Sequence, residues 1–276
     1  MNPNRHCVFI RVCHRMEDLR ILVDIIRKHW TNGSYFILIA SNGKSLGYDI
    51  PPEVKNSVDK TVELQDNLGH KAGDGMLLQS GLQFIPDSCE YTILLQADTW
   101  IFDDGLISKY IEKLKKTSSV WASAEWIEKY WSLAVDFAIV NTSFLKSSPD
   151  ILNFTEHPES SVCNYLLDNS QNFIYINECM PVHRPNIMKG FYNAYGGRFR
   201  SFPEAKMVTH HIEDLPDGIE DKKLLANICL NRDVFDVESR VNIATEHKKL
   251  RMVMKLASIL PRSRWFNKKK RRNLQK

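Results

Sequence analysis

From residue 7 to residue 116 the chain alternates short runs rich in β-branched and aromatic residues with longer stretches whose apolar positions recur every three or four residues. CVFIRV, SYFILIA, KTVEL and YTILLQ have strand length and are bounded by polar or turn residues. MEDLRILVDIIRKHW, GDGMLLQSGLQFI and DDGLISKYIEKLKK carry the helical period, with Leu19, Leu22, Val23 and Ile26 on one face and Leu106, Ile107, Tyr110, Ile111 and Leu114 on another. Strands separated by helices pair in parallel, and such sheets bind ligands beyond the carboxyl ends of their strands. The expected class is therefore α/β, with a mostly parallel sheet flanked by helices.

SVWASAEW, SLAVDFAIVNTSF and NFIYIN read as further strands and PESSVCNYLLDNS as a further helix. From Pro181 to Lys206 the pattern loosens into a Gly-, Pro- and Arg-rich stretch whose five aromatic rings are too many for a disordered linker, so it reads as an ordered functional loop. Its Arg184, Lys189, Tyr192, Tyr195, Arg198 and Arg200 are suited to closing over an anionic ligand and stacking on a ring, and the alternative is a surface excursion held by aromatic packing. Two more helices are expected, from about Gly218 to Leu230 and from about Ile243 to Leu260.

Six scattered cysteines without a CxxC pair suggest neither a zinc ribbon nor a disulfide framework, and a cytoplasmic setting is the simpler expectation. No signal-peptide core is evident in MNPNRHCVFIRVCHR, and no stretch reaches the about 20 apolar residues that a spanning helix needs. The net charge of +4 is unevenly placed, because the last fifteen residues, RSRWFNKKKRRNLQK, hold eight basic residues and no acid. With Trp265, Phe266 and the amphipathic pattern before them, they suit an anionic membrane surface, which would place the protein peripherally at the inner face of a membrane. A core helix followed by a solvated tail is the alternative. No nucleic-acid reading motif is present, so nucleic acid is the less favoured partner.

In YTILLQADTW the strand delivers Gln96, Ala97 and Asp98 to the carboxyl edge of the sheet. A hard divalent ion takes oxygen ligands and is often shared between one or two carboxylates and substrate phosphates, so a strand-end aspartate can serve it if a partner arrives from elsewhere. The alternative is an acid that merely ends a strand. Asp103 and Asp104 sit where a helix N-cap and first turn prefer acids. The loop DNLGHKAGDG offers Gly69, Gly73 and Gly75 for close approach of backbone amides to an anion, without the signature of a P-loop or a dinucleotide fold.

Taken in order, a first strand ending in CHR, a second ending in SNG, a glycine-containing loop that opens a helix, and a strand ending in QAD resemble the nucleotide-binding half of a GT-A type glycosyltransferase. The resemblance covers roughly residues 5 to 180. It implies a GT-A fold, a Rossmann-like nucleotide-diphospho-sugar transferase architecture with a mixed, mostly parallel sheet and a C-terminal helical extension. It also implies a nucleoside-diphosphate sugar as donor and Mn²⁺ or Mg²⁺ as cofactor.

Carried over by position, the resemblance puts Arg11 and His14 near the base, Asn42 at the turn that contacts uracil or its equivalent, and Lys71 near the nucleotide. Asp98 matches the second acid of the family's Asp-x-Asp metal motif. Gln96 stands where the first acid belongs and brings a hydrogen-bonding amide but no charge. Family members often complete the metal shell with a histidine C-terminal to the catalytic domain, which points to His210 or His211, only one of which can face the site from a strand. In inverting members an acid at the start of a helix such as PESSVCNYLLDNS removes the acceptor proton, and Glu159 fits that place better than Glu156. Asp136 is an unusual charge inside LAVDFAIV, so an acceptor-site role competes there with a buried structural hydrogen bond.

The expectation is a GT-A-like domain over residues 1–230 and an amphipathic helix with a basic tail over 231–276. The expected activity is sugar transfer from a nucleoside diphosphate to a hydroxyl of a glycan or lipid-linked glycan. Two alternatives stay open: a sugar nucleotidyltransferase, and a non-catalytic nucleotide- or glycan-binding protein of degenerate transferase fold.

Overall fold

The structure is a computed structural model, and it describes residues 5–124, 132–154, 157–179, 200–202, 205–209 and 217–223. The basic tail, most of the aromatic loop, Glu156, His210 and His211 lie outside the described residues.

Four strands open the chain: β1 (Arg5–Val12), β2 (Ser34–Ser41), β3 (Lys60–Glu63) and β4 (Tyr91–Gln96). Between them lie the helices α1 (Met16–His29), α2 (Pro52–Asn56) and α3 (His70–Leu82). The second half adds β5 (Trp100–Ile101), α4 (Gly105–Thr117), β6 (Trp121–Ser123), β7 (Phe137–Asn141), α5 (Thr142–Ser147), α6 (Pro158–Asp168), β8 (Phe173–Tyr175), β9 (Arg200–Phe202) and β10 (Met207–Thr209). Seven strands form one sheet in the order β3-β2-β1-β4-β7-β6-β8, and β5, β10 and β9 form a small second sheet. In the large sheet β7 pairs antiparallel with both β4 and β6, and the other pairings are parallel.

The period-two alternation of β1 explains the layering. Val8, Ile10 and Val12 face a core built with Leu19, Leu22, Val23 and Ile26 of α1 and Ile107 and Tyr110 of α4. Cys7 and Phe9 face the opposite core, with Leu77 and Leu78 of α3 and Val162 and Leu166 of α6. Both faces of the sheet are covered, so its central strands are apolar throughout. α1 is further favoured by Glu17 and Asp18 in its first turn and Arg27, Lys28 and His29 in its last, each sign matched to the helix dipole.

Two expected boundaries move. SLAVDFAIVNTSF is not one strand: β7 occupies only Phe137–Asn141, and Asn141 then caps α5 by accepting the Phe144 amide at 2.9 Å. The helix after the glycine loop begins at His70, so Gly73 and Gly75 lie inside α3 rather than in a cradle. The Gly73 amide is engaged by the Gly69 carbonyl at 2.9 Å. At Gly75 a Cβ would come within 2.7 Å of the Leu152 carbonyl, so the missing side chain serves close packing. Gly69 itself, at φ 80, starts the helix in a conformation that suits glycine.

Candidate functional site

The carboxyl ends of β1, β2 and β4 open on one edge, and because β7 runs the other way its entry point falls on that same edge. Main-chain hydrogen bonds fix the row: the Ala97 amide donates to the Arg11 carbonyl at 2.9 Å, and the Gln96 amide to the Asp136 carbonyl at 2.9 Å. Arg11, Gln96 and Asp136 are thus neighbours on adjacent strands although they are far apart in sequence. A turn closed by the Thr99 amide on the Gln96 carbonyl, at 3.0 Å, presents Asp98 just beyond.

Arg11 is buried, and its guanidinium donates to the Asp74 carboxylate and the Val135 carbonyl, which ties α3 to the approach to β7. Asn42, only 2% exposed, lies immediately after β2. Its amide nitrogen donates to Asn67 Oδ1 at 3.3 Å, and its Oδ1 is buried with no hydrogen-bond partner among the described residues. Asn67 also accepts the Gly69 amide at 2.9 Å and donates to Cys13 Sγ at 3.1 Å, joining three loops of the edge. The sequence reading missed Asn67, although an Asn two residues before a glycine in DNLG is the side chain expected to brace such a turn.

Beside Asn42 the surface is apolar. His14 is exposed and its ring lies 5.9 Å from that of Tyr48, tilted by 52°, while Leu46 and Leu68 are among the few exposed large hydrophobic side chains described. Gly43, at φ 86, begins this turn, and a Cβ there would meet the Tyr48 ring at 2.9 Å. Lys71 is exposed in the first turn of α3.

Asp136 is buried, and its carboxylate accepts from Thr209 Oγ1 at 3.2 Å. Thr209, at the end of β10, is itself 2.7 Å from Thr99 Oγ1. Glu159 occupies the first turn of α6 and is half-buried. Burial raises its proton affinity above the ordinary glutamate range, and the negative charges of Asp136 and Asp74 add to the effect. Two expected catalytic acids and the partner of Arg11 therefore share one electrostatic neighbourhood.

Asp98 is 6% exposed. Its Oδ2 lies 3.6 Å from Arg15 Nε, and its carbonyl oxygen accepts from Lys222 Nζ at 2.6 Å. Lys222 is fully buried against the Trp100 ring, 4.2 Å from its centroid, and pairs with Asp18 Oδ1 at 2.5 Å. Burial pushes Lys222 down and Asp18 up, and the attraction between them opposes both shifts. None of Arg15, Asp18 and Lys222 was singled out in the sequence. Asp103 and Asp104 are structural, as expected, but only Asp103 reaches the helix start, accepting the Gly105 amide at 3.1 Å. Asp104 turns its carboxylate to Asn32 and Tyr35 instead.

Among the described residues no group of three or more His, Cys, Asp or Glu could hold a metal ion, and two of the expected ligands, His210 and His211, lie outside them. The two positions of the Asp-x-Asp motif that are described do not fit the ion that the resemblance implies. Gln96 contributes no charge, and the Asp98 carboxylate already faces the Arg15 cation.

No family model matches the chain, and no curated protein matches it in sequence. Solved structures are similar in fold at low identity. A mannosyltransferase from Pyrobaculum calidifontis, solved with GDP-Man and Mn²⁺, is 10% identical over 95% of this chain and 82% of its own, with a TM-score of 0.47. A 4-diphosphocytidyl-2C-methyl-D-erythritol synthase from Anaerococcus prevotii is 11% identical over 62% and 86%, at 0.45. TarS of S. aureus is 12% identical over 58% of this chain, which spans 32% of that protein, at 0.43.

The seven-stranded sheet is mixed and mostly parallel with helices on both faces, the α/β arrangement expected from the alternation of strands and helices. Among the described residues no helix is long and apolar enough to cross a membrane.

Proposed function

We propose that this protein transfers a sugar from a nucleoside-diphosphate sugar to a hydroxyl of a glycan or lipid-linked glycan. The single observation that carries the reading is that Asp136 enters the sheet beside Gln96 at the carboxyl edge while the Glu159 carbonyl accepts the Leu133 amide of the same approach, where burial and the Asp136 charge raise the proton affinity of Glu159. A carboxylate held above the usual range is a better proton acceptor for an alcohol than an ordinary one.

The base rests on the His14, Tyr48 and Asn42 side of the edge, where the His14 and Tyr48 rings can stack on it and a small shift of the Asn42 side chain would bring its unengaged oxygen to a base N–H. The diphosphate runs toward the turn at Asp98, with Lys71 above it. In the transfer the acceptor oxygen bonds to the anomeric carbon while the carbon–oxygen bond to the diphosphate breaks. The electron pair leaves with the phosphate oxygen, and the acceptor proton passes to Glu159. Asp136, held by Thr209, keeps negative charge beside Glu159 and so raises its basicity. This assignment commits the reaction to inversion at the anomeric carbon.

The test incubates the full-length protein with a panel of UDP- and GDP-sugars and follows nucleoside diphosphate release, with water as default acceptor. Release is expected from at least one donor, and Glu159→Gln lowers it about 100-fold. Release from none, or release untouched by Glu159→Gln, removes the reading.

A further inference from the structure

Behind the β4 turn four ionisable side chains share a largely dry space. The side chains of Asp18 and Lys222 have no exposed surface, and the side chains alone of Asp98 and Arg15 are 8% and 12% exposed. Lys222 faces Asp18, and Arg15 faces Asp98 with Nε 3.6 Å from Oδ2. A divalent ion at Asp98 would meet the Arg15 cation at the same carboxylate, and like charges repel strongly in a low-dielectric region. Gln96, at the end of β4, supplies no second carboxylate to offset that repulsion.

The two cations are not equivalent. Lys222 is spent internally, on Asp18 Oδ1 and on the Asp98 carbonyl, and has no surface to offer a ligand. The Arg15 side chain is 12% exposed, directly before α1 and beside the turn where a donor diphosphate would end. A guanidinium presents several donors in one plane and suits two phosphate oxygens at once.

We propose that this chain holds the diphosphate of its donor without a divalent metal, with Arg15 as the phosphate-binding cation and Asp98, Lys222 and Asp18 as the frame that aims it. The inference rests on the nucleotide-sugar reading of the edge. Asp98 is then a positioning residue: one carboxylate oxygen orients Arg15, and Lys222 fixes the main chain of the turn. As the bond between the anomeric carbon and the phosphate oxygen breaks, the departing electron pair settles on that oxygen. Arg15 stabilises the new charge by hydrogen bonding and keeps its proton, while the acceptor proton goes to Glu159.

The test is isothermal titration of UDP and of GDP into the full-length protein, in EDTA and again in MnCl₂, for the wild type, Arg15→Gln and Arg15→Lys. For whichever diphosphate binds, the dissociation constant is expected to differ by less than about fivefold between the two buffers. Arg15→Gln is expected to weaken binding by about tenfold in both, with Arg15→Lys between it and the wild type. Thermal unfolding of each variant without nucleotide checks that the fold is kept. Binding strengthened about fivefold or more by Mn²⁺, or unchanged in a folded Arg15→Gln protein, overturns the inference alone. Absence of binding by either diphosphate in both buffers removes the nucleotide-sugar reading and this inference with it.

Discussion

Lys222 donates from its buried ammonium to the main-chain carbonyl of Asp98 at 2.6 Å, although 124 positions separate the two residues. The same nitrogen is 2.5 Å from Asp18 Oδ1, so a segment late in the chain closes over the turn that carries the most strongly implicated acid. The carboxyl edge of the sheet is therefore completed by a residue beyond the span in which the family resemblance was visible.

Removing that cation strands a buried carboxylate. Lys222→Met should cost about 3–5 kcal/mol of unfolding free energy, because the buried Asp18 loses its ammonium partner and must then either carry an uncompensated charge or take up a proton. The double variant Asp18→Asn, Lys222→Met should lose much less than Lys222→Met alone. Urea unfolding of the three proteins checks this, and equal losses in both would mean that the pair contributes only packing.

Asp104 is a clamp rather than a cap. Its carboxylate accepts the Asn32 amide, Asn32 Nδ2 and the Tyr35 hydroxyl, each at 2.7 Å, and so fastens the turn between α1 and β2 to the start of α4. Burial, and after it the hydrogen bond to Asp104, keep the Tyr35 phenol protonated. Asp104→Ala leaves these donors unsatisfied and should cost about 3 kcal/mol without changing nucleotide affinity. Chemical denaturation and a nucleotide titration on the same variant measure both halves of the statement.

Glu159 links activity to pH and to stability in opposite senses. Its folded proton affinity is raised, first by burial and then by Asp136, so the native state binds the proton more tightly than the unfolded chain. That contribution is fully present below the ordinary glutamate value of 4.5 and is lost as pH rises through the folded value. At pH 7 Glu159→Gln should therefore melt at a higher temperature than the wild type, and the gain should vanish in acid. The acid limb of kcat/KM for the wild type should lie above the usual carboxylate range. A variant less stable than wild type at pH 7 would refute the electrostatic placement of this residue.

The basic C-terminal residues lie outside the described structure, and their role is a prediction from sequence. Liposome pelleting of the full-length protein and of a chain ending at Leu260 should show binding to anionic vesicles only for the former. Equal pelleting of the two would remove the membrane assignment.

The central strands were readable because each is a short apolar run bounded by turn residues, and the layering followed from their alternation. The limits of β7 were not readable, since LAV before it is as apolar as the strand, and Thr142, Ser143 and Phe144 after it suit a strand as readily as the helix that the Asn141 cap starts. The strand β5, two residues long, leaves no periodic trace. Among the candidate site residues, Asn42, Asp98 and Glu159 could be proposed from sequence because each sits at the end or start of a recognisable element. Lys222 and Asp18 were not, because a pairing across 204 positions has no local signal, and Arg15 looked like one more polar residue before a helix.

The most direct test of the nucleotide-sugar assignment is the thermal unfolding of the wild type and of Asn42→Ala titrated with UDP, GDP and their sugars. The account predicts that one nucleotide stabilises the wild type saturably, by about 2.7 kcal/mol at 100 times its dissociation constant, and that Asn42→Ala shifts the curve to higher concentration. No stabilisation by any of these ligands, or a curve unaltered in Asn42→Ala, would contradict it.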